Sequence, residues 1–306
     1  MASYVVTGGA GFIGSNIVEE LVKRGHKVKV IDDLSTGSRS NLKMFLDKIE
    51  LVKGTVTNYA LLKKEFADFD YVIHEAADVS VQDSIKNPAK TAKNNILGTV
   101  NVLNAAKDAG VKRVVLASSC AVYGDSPSAV TEVSPVKPLS PYAVSKLSCE
   151  SFARLYTDLY GLETVSLRYF NVFGPRQSAT SDYAAVIPKF IKIIRARRRP
   201  DVYGDGFQTR DFVYVSNVVD ATILACTMNG VAGKVYNIGT GISTDINTLV
   251  KHLNKILEKS STPRYEVARA GDIKHSKAHI SAARRELGYF PKVDLVAGLR
   301  KTVESF

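Results

Sequence analysis

Short apolar runs alternate with helix-period segments through the first half of the chain. Strands are predicted at Tyr4–Thr7, Val28–Asp32, Leu51–Val52 and Tyr71–His74, with one helix running to Arg24 and another near Leu61. The rhythm continues with a long helix over Gly98–Asp108, a strand at Val114–Ser118, a helix beginning beside Tyr142 and a strand at Thr164–Tyr169. Strands and helices in this alternation build a doubly wound α/β domain on a parallel sheet. From about Phe173 the rhythm breaks. Gly174-Pro175 is followed by a helix around Val186–Arg195, a turn-rich stretch over Tyr203–Arg210, and helices near Leu249 and Leu299. We expect residues 1–172 to form the sheet domain and 173–306 mainly a smaller C-terminal lobe. No long linker separates them, so the two are expected to interleave around a cleft.

The helix beside Tyr142 is marked at both ends. Ser140 suits the N-cap, Pro141 the first helical position and Gly161 the stop, after an apolar face through Phe152, Tyr156 and Leu159. Tyr142 and Lys146 are four residues apart and share one face of the first turns. A tyrosine acting as a base near neutrality needs its phenolate stabilised by about 4 kcal/mol. One ammonium about 4 Å away supplies roughly that at an effective dielectric of about 20. The same spacing also describes a half-buried tyrosine beside a solvated lysine, so the upstream residues decide between the two.

Upstream, Thr7-Gly8-Gly9-Ala10-Gly11-Phe12-Ile13-Gly14 follows a predicted strand and opens a helix. Glycines there permit a tight turn, close approach of a pyrophosphate, and close packing of helix on sheet, while the helix N-terminus favours negative charge. Asp32 ends the next strand, where a carboxylate can accept hydrogen bonds from adenosine ribose hydroxyls. Asp33 beside it adds negative charge that repels a 2′-phosphate, so NAD is expected rather than NADP. The sheet domain is therefore expected to be a dinucleotide-binding Rossmann fold.

Composition narrows the remaining classes. With 306 residues, 45% of them hydrophobic, the chain can bury a substantial core. Its apolar stretches are short and interrupted by charge, so neither a membrane span nor a signal peptide is expected, and the default location is cytoplasmic. Cys120, Cys149 and Cys226 are far apart and lack a C-x-x-C pattern, which argues against a disulfide framework or zinc site. His275 and His279 stand at helical spacing without a third ligand, and no metal is expected. A net charge of +11, with Arg195, Arg197, Arg198 and Arg199 closing a helix, invites a nucleic-acid reading. Cations at a helix C-terminus and an electropositive cleft for a diphosphate explain it as well, and no nucleic-acid partner is expected.

Ser118-Ser119-Cys120-Ala121-Val122-Tyr123-Gly124, read with the glycine turn and the Tyr142/Lys146 pair, resembles the extended short-chain dehydrogenase/reductase superfamily. Arg168-Tyr169-Phe170-Asn171-Val172-Phe173-Gly174, Gly204-Asp205-Gly206 with Arg210-Asp211, and Arg269-x-Gly271-Asp272 look like its nucleotide-sugar 4-epimerases. The resemblance implies that Tyr142 is the base for a sugar 4-hydroxyl, that Lys146 supports its phenolate and holds the nicotinamide ribose, and that Ser119 hydrogen-bonds the reacting oxygen. It implies an NAD site formed by Gly8, Gly11, Phe12, Ile13, Gly14, Asp32, Asp33, Ser35, Thr36, Gly37, Ala76, Ala77, Asn95, Tyr142 and Lys146. Substrate would be held by Ser119, Tyr142, Asn171, Arg210, Arg269, Asp272 and Ser276, with the arginines suited to a diphosphate.

Sugar choice is expected at Ser276, which falls where the family's pocket-wall residue lies. A small side chain leaves room for an acetamido group, and Tyr183-Ala184-Ala185-Val186-Ile187-Pro188-Lys189 resembles UDP-N-acetylglucosamine 4-epimerases. UDP-hexoses, with acetamido sugars tolerated, are the expected substrates. Three positions depart from the pattern: Thr55 replaces an aspartate, Cys120 a third serine, and His279 an aspartate. A nucleotide-sugar 4,6-dehydratase or decarboxylase would need an extra acid and base beside Ser119, where Cys120-Ala121 stand. A non-catalytic NAD- or RNA-binding relative would not need Tyr142. A homodimer through Leu97–Leu103 and Phe152–Leu159 is a further family expectation.

Overall fold

Tyr4 and Val6 pack into one hydrophobic cluster and Val5 into another, so the first strand is buried on both faces. Val115, against Val114 and Leu116, repeats the pattern. A strand apolar on both faces belongs in the middle of a sheet covered by helices on each side. The computed structural model of the protein describes residues 1–178, 185–268 and 273–306.

The first half runs β1 (Ser3–Thr7), α1 (Phe12–Lys23), β2 (Lys27–Asp32), β3 (Ile49–Lys53), α2 (Tyr59–Glu65) and β4 (Tyr71–His74). Two short helices, α3 (Val81–Lys86) and α4 (Pro88–Thr91), precede α5 (Gly98–Asp108), β5 (Arg113–Ser119), α6 (Pro141–Tyr160) and β6 (Glu163–Tyr169). The chain continues through β7 (Asn171–Phe173), α7 (Val186–Arg195), β8 (Asp201–Tyr203), β9 (Thr209–Arg210), β10 (Phe212–Tyr214) and α8 (Val215–Thr227). It ends with β11 (Lys234–Ile238), β12 (Thr244–Asp245), α9 (Ile246–Leu257), β13 (Arg264–Glu266) and α10 (Leu295–Glu304).

Seven strands form one parallel sheet in the order β11-β6-β5-β4-β1-β2-β3. This is the doubly wound Rossmann arrangement, with its reversal of winding between β1 and β4. The seventh strand comes from beyond residue 173. After building β7 to β10, the chain returns through α8, which packs against α1, and lays β11 beside β6. Neither α8 nor β11 is among the elements predicted from sequence. Most residues of α8 are buried, so it shows no polar stripe to reveal a helical period, and β11 is only five residues long.

Polar groups buried inside the sheet find partners there, as at His74. His74, inside the sheet, hydrogen-bonds Thr7 through Nδ1 (2.7 Å) and Thr99 through Nε2 (3.0 Å), and burial pushes its pKa down to about 3. Two arginines of the basic cluster end on carbonyls. Arg195 donates to Val303 O at 2.6 Å, and Arg199 donates to Thr262 O and Pro263 O. No helix among the described residues is long and apolar enough to cross a membrane.

Candidate active site

The glycine turn joins β1 to α1. Gly8 has φ +69°, and Gly11 N–H closes the turn on Gly8 O at 3.0 Å. A Cβ on Gly14 would come 2.3 Å from Gly8 O, and one on Gly8 would come 2.6 Å from Ala76 N. Glycine is therefore required for the strand, the turn and the segment after β4 to meet. Gly11 caps α1 without any side-chain hydrogen bond, and the first turn carries no acidic residue. The leading N–H groups of α1 are left for an anion, as a dinucleotide pyrophosphate requires.

Asp32 is buried at the end of β2. Its Oδ2 accepts from Ala10 N–H (2.9 Å) and its Oδ1 from Leu34 N–H (2.8 Å), while burial raises its pKa against these bonds. Each oxygen retains a lone pair for a ribose hydroxyl. A Cβ on Gly37 would meet Asp32 Oδ1 at 3.0 Å and Ala10 C at 2.9 Å, so the loop after Asp32 folds over the glycine turn. Within that loop Asp33 accepts from both the N–H and the hydroxyl of Ser35, and Ser35 and Thr36 are exposed. Phe12 and Ile13 open α1, and Ala76 and Ala77 follow β4 beside Gly8. Asn95 is buried, accepts from Asp78 N–H (2.8 Å), and donates to Asp78 O and Ser145 Oγ. It braces the segment after β4 against α6.

Ser140 caps α6 by accepting from Ala143 N–H (3.1 Å), Pro141 stands in the first turn, and Gly161 ends the helix in the left-handed region. This places Tyr142 in the first turn of α6. Lys146, only 6% exposed, donates to Ala117 O at 2.7 Å and lies 5.9 Å from the centre of the Tyr142 ring. The carbonyl anchor holds the ammonium between β5 and the phenol. Ser119 closes β5, with its Oγ accepting from Ala121 N–H at 3.2 Å.

A buried ion pair locks α6 to the sheet. Arg168 donates to Glu150 through Nε (2.9 Å) and a second nitrogen (2.7 Å), and Ser118 donates to the same carboxylate. Glu150 lies four residues beyond Lys146, so this pair fixes the height of α6 on the sheet. Tyr123 joins the group by receiving a hydrogen bond from Arg168 and donating to Asn237, both at 2.7 Å.

Ser276 and Arg210, both expected to hold substrate, come near Cys120, the residue after Ser119. Burial pushes the Cys120 thiol up to about 11, opposed first by a hydrogen bond with Ser276. Ser276 N–H donates to Thr209 O (3.2 Å), and Arg210 follows on β9. Arg210 and Asn171 line one cavity of about 340 Å³, together with Phe190, Tyr203 and Gln208. The buried Oε1 of Gln208 has no hydrogen-bond partner among the described residues, although its amide donates to Tyr203 O. Contacts therefore run from Cys120, next to Ser119, through Ser276 and Thr209 to Arg210 and the cavity. Arg269 and Asp272 lie outside the described residues, as do Gly271, Tyr183 and Ala184.

Asp211, which the sequence offers only as part of the Arg210-Asp211 motif, gains its partners through long-range contacts. Asp211 is fully buried and accepts four hydrogen bonds, from Thr240 N–H and Oγ1, Gly241 N–H and Ala278 N–H. It ties the Ser276 segment to the loop after β11. Gln208 and Glu75 likewise acquire their surroundings only through tertiary contacts. Thr55 accepts from Thr57 N–H at 3.3 Å, and His279 N–H donates to Val130 O, so each serves local backbone.

The chain matches known proteins over most of its length. Residues 4–239 match the NAD dependent epimerase/dehydratase family. The chain is 39% identical over 308 residues to UDP-glucose 4-epimerase of Mycolicibacterium smegmatis, covering 99% of this chain and 97% of that one. Its structure superposes on UDP-N-acetylglucosamine 4-epimerase from Methanobrevibacter ruminantium, in complex with UDP-N-acetylmuramic acid, with a TM-score of 0.95, at 42% identity over 100% and 98% of the two chains. It also superposes on the Thermus thermophilus UDP-glucose 4-epimerase complex with NAD, with a TM-score of 0.91, at 34% identity over 99% and 98%. With its glycine turn, its Asp32 and its Tyr142–Lys146 helix, the chain belongs to the NAD-dependent epimerase/dehydratase family.

Proposed function

We propose that this protein is an NAD-dependent 4-epimerase of UDP-hexoses, acting on UDP-glucose/UDP-galactose and on UDP-GlcNAc/UDP-GalNAc. The observation that carries this reading is the set Tyr142, Lys146 and Ser119 at the end of β5, with no additional acid at Cys120-Ala121. NAD bound across the glycine turn supplies a reversible hydride acceptor for sugar C4.

The chain's own residues handle the proton and hold the sugar. Tyr142 takes the proton of the 4-hydroxyl as the C4 hydride leaves, and Ser119 hydrogen-bonds the same oxygen. Lys146, held on Ala117 O, places a positive charge beside the phenolate so formed. Arg210 and Asn171, with Arg269 and Asp272, retain the nucleotide diphosphate while the 4-keto sugar turns over. Gln208 offers an unpaired acceptor in the same cavity, suited to an N–H of the uracil base. Tyr142 then returns the proton as hydride adds to the opposite face, so the reaction is redox-neutral.

The pairing of Ser276 with Cys120 leaves only small side chains at that part of the wall, which supports acetamido sugars as substrates. We assign Asp32, Asp33, Ser35, Thr36 and Gly37 to the adenosine end, and Ala76, Ala77 and Asn95 to the segment beside the cofactor. Exposed Leu97, Phe152, Leu155 and Leu159 support a homodimer through α5 and α6. Three free cysteines fit a reducing cytoplasm.

Incubating the protein separately with UDP-glucose and UDP-GlcNAc, then reading the C4 configuration by proton NMR, tests both reaction and sugar. Interconversion of both pairs is expected, with Tyr142→Phe inactive yet still binding NAD. A 4-keto-6-deoxy product, or CO2 release from UDP-glucuronate without epimerisation, would replace the assignment with dehydratase or decarboxylase.

A further inference from the structure

Glu75 follows β4 directly, and the chemistry above does not use it. Its N–H donates to Thr7 O at 3.1 Å, and its carbonyl carbon would lie 2.9 Å from a Cβ on Gly8, so its backbone abuts the phosphate turn. Its Oε1 accepts from the Tyr169 hydroxyl at 2.8 Å. That hydroxyl lies 2.8 Å from Thr222 Oγ1, and Thr222 donates to Val218 O at 2.9 Å. In the sheet, Asp32 ends β2, the turn follows β1, and Glu75 and Ser119 mark the ends of β4 and β5. Glu75 is therefore on the side of the turn away from Asp32 and toward Tyr142. A dinucleotide with its adenosine at Asp32 has its nicotinamide half on that side.

The hydrogen-bond chain holds both charge states of the carboxyl. When Glu75 is protonated, the Glu75, Tyr169 and Thr222 hydroxyls can donate in series and end on Val218 O. When it is ionised, Tyr169 donates to the carboxylate, and Thr222 must choose between Tyr169 and Val218. Burial pushes the Glu75 pKa up to about 7, against the Tyr169 hydrogen bond and the Lys146 ammonium. Around it, burial raises Tyr169 well above its ordinary range, lifts Cys226 behind Tyr169 to about 12, and lowers neighbouring His74 to about 3.

We propose that Glu75 sets the charge balance of the bound nicotinamide: its carboxylate favours the oxidised, cationic ring, and it takes up a proton when the ring is reduced. The hydride comes from sugar C4, the proton comes from solvent, and both leave when the hydride returns to the keto sugar. Glu75 thus biases the cofactor toward the state in which the next cycle begins. The proposal rests on the NAD reading of the site.

Dissociation constants for NAD+ by calorimetry, and for NADH by its fluorescence, test it from pH 5.5 to 8.5. The full-length chain is used as Tyr142→Phe, which removes the catalytic phenol, and as the same variant with Glu75→Gln. With Glu75 present, the ratio Kd(NADH)/Kd(NAD+) should be about tenfold higher at pH 8.5 than with Gln. It should fall to the Gln value at low pH, through a transition near 7. Equal ratios at every pH, or the same pH profile in both chains, would overturn the proposal. Should the Gln chain fail to fold, a flat ratio in Tyr142→Phe alone would overturn it. Failure of Tyr142→Phe to bind either nucleotide would overturn the NAD reading with it.

Discussion

Replacing Lys146 by methionine removes the cation held beside Tyr142 while keeping a side chain of similar length. The ammonium lies 5.9 Å from the centre of the phenol ring. At an effective dielectric of about 20, a unit charge about 6 Å away contributes about 3 kcal/mol. That corresponds to roughly a hundredfold in rate if the charge on the phenolate develops fully in the transition state. The variant also loses the 2.7 Å bond to Ala117 O, at a stability cost of about 1 kcal/mol. The assay is kcat/KM for UDP-galactose, with UDP-glucose read by a coupled dehydrogenase and every sample saturated with added NAD. Lys146→Met should lose about two orders of magnitude with its fold intact by circular dichroism. Lys146→Arg, which restores the charge in a bulkier form, should recover part of the loss. A methionine variant within fivefold of wild type would refute the electrostatic account of this pair.

Gly14→Ala places a Cβ 2.3 Å from Gly8 O, so NAD affinity should fall by about 100-fold or more in calorimetry. Ser276→Tyr should fill the space beside Cys120 and lower kcat/KM for UDP-GlcNAc at least about tenfold relative to UDP-glucose. Acid should destabilise the fold through His74, whose pKa is near 3 when folded and near 6.5 when free. Its contribution is present above pH 6.5 and is lost as pH falls toward 3. At pH 5 the loss is about 2 kcal/mol, read as a lower urea midpoint that His74→Asn should not show.

Much of the cofactor half is legible because its signals are local. The glycine turn, the strand before it and Asp32 after it lie within one strand–turn–helix–strand unit, whose periods are short and whose glycines have one steric purpose. The ends of α6 are equally plain, since Ser140, Pro141 and Gly161 each meet a backbone demand within one turn. Helix α8 and strand β11 were not legible. The first is buried on nearly every side and the second is short, so neither leaves a polar–apolar rhythm. The hydrogen bonds of Asn95 to Asp78 and Ser145 were not legible either, since they join residues 17 and 50 positions away.

The amino-acid sequence by itself determined the doubly wound sheet, the phosphate turn, the acidic end of β2, and the shared face of Tyr142 and Lys146. Each depends on contacts within a few residues or on strict side-chain periods. Only the tertiary structure decided that Ser276 meets Cys120, that Arg210 and Asn171 face one cavity, and that Glu75 joins Tyr169 and Thr222. Those neighbours are separated by 39 to 156 residues of chain. Their meeting follows from how β7, β9 and α8 pack over the sheet ends, which no local period records.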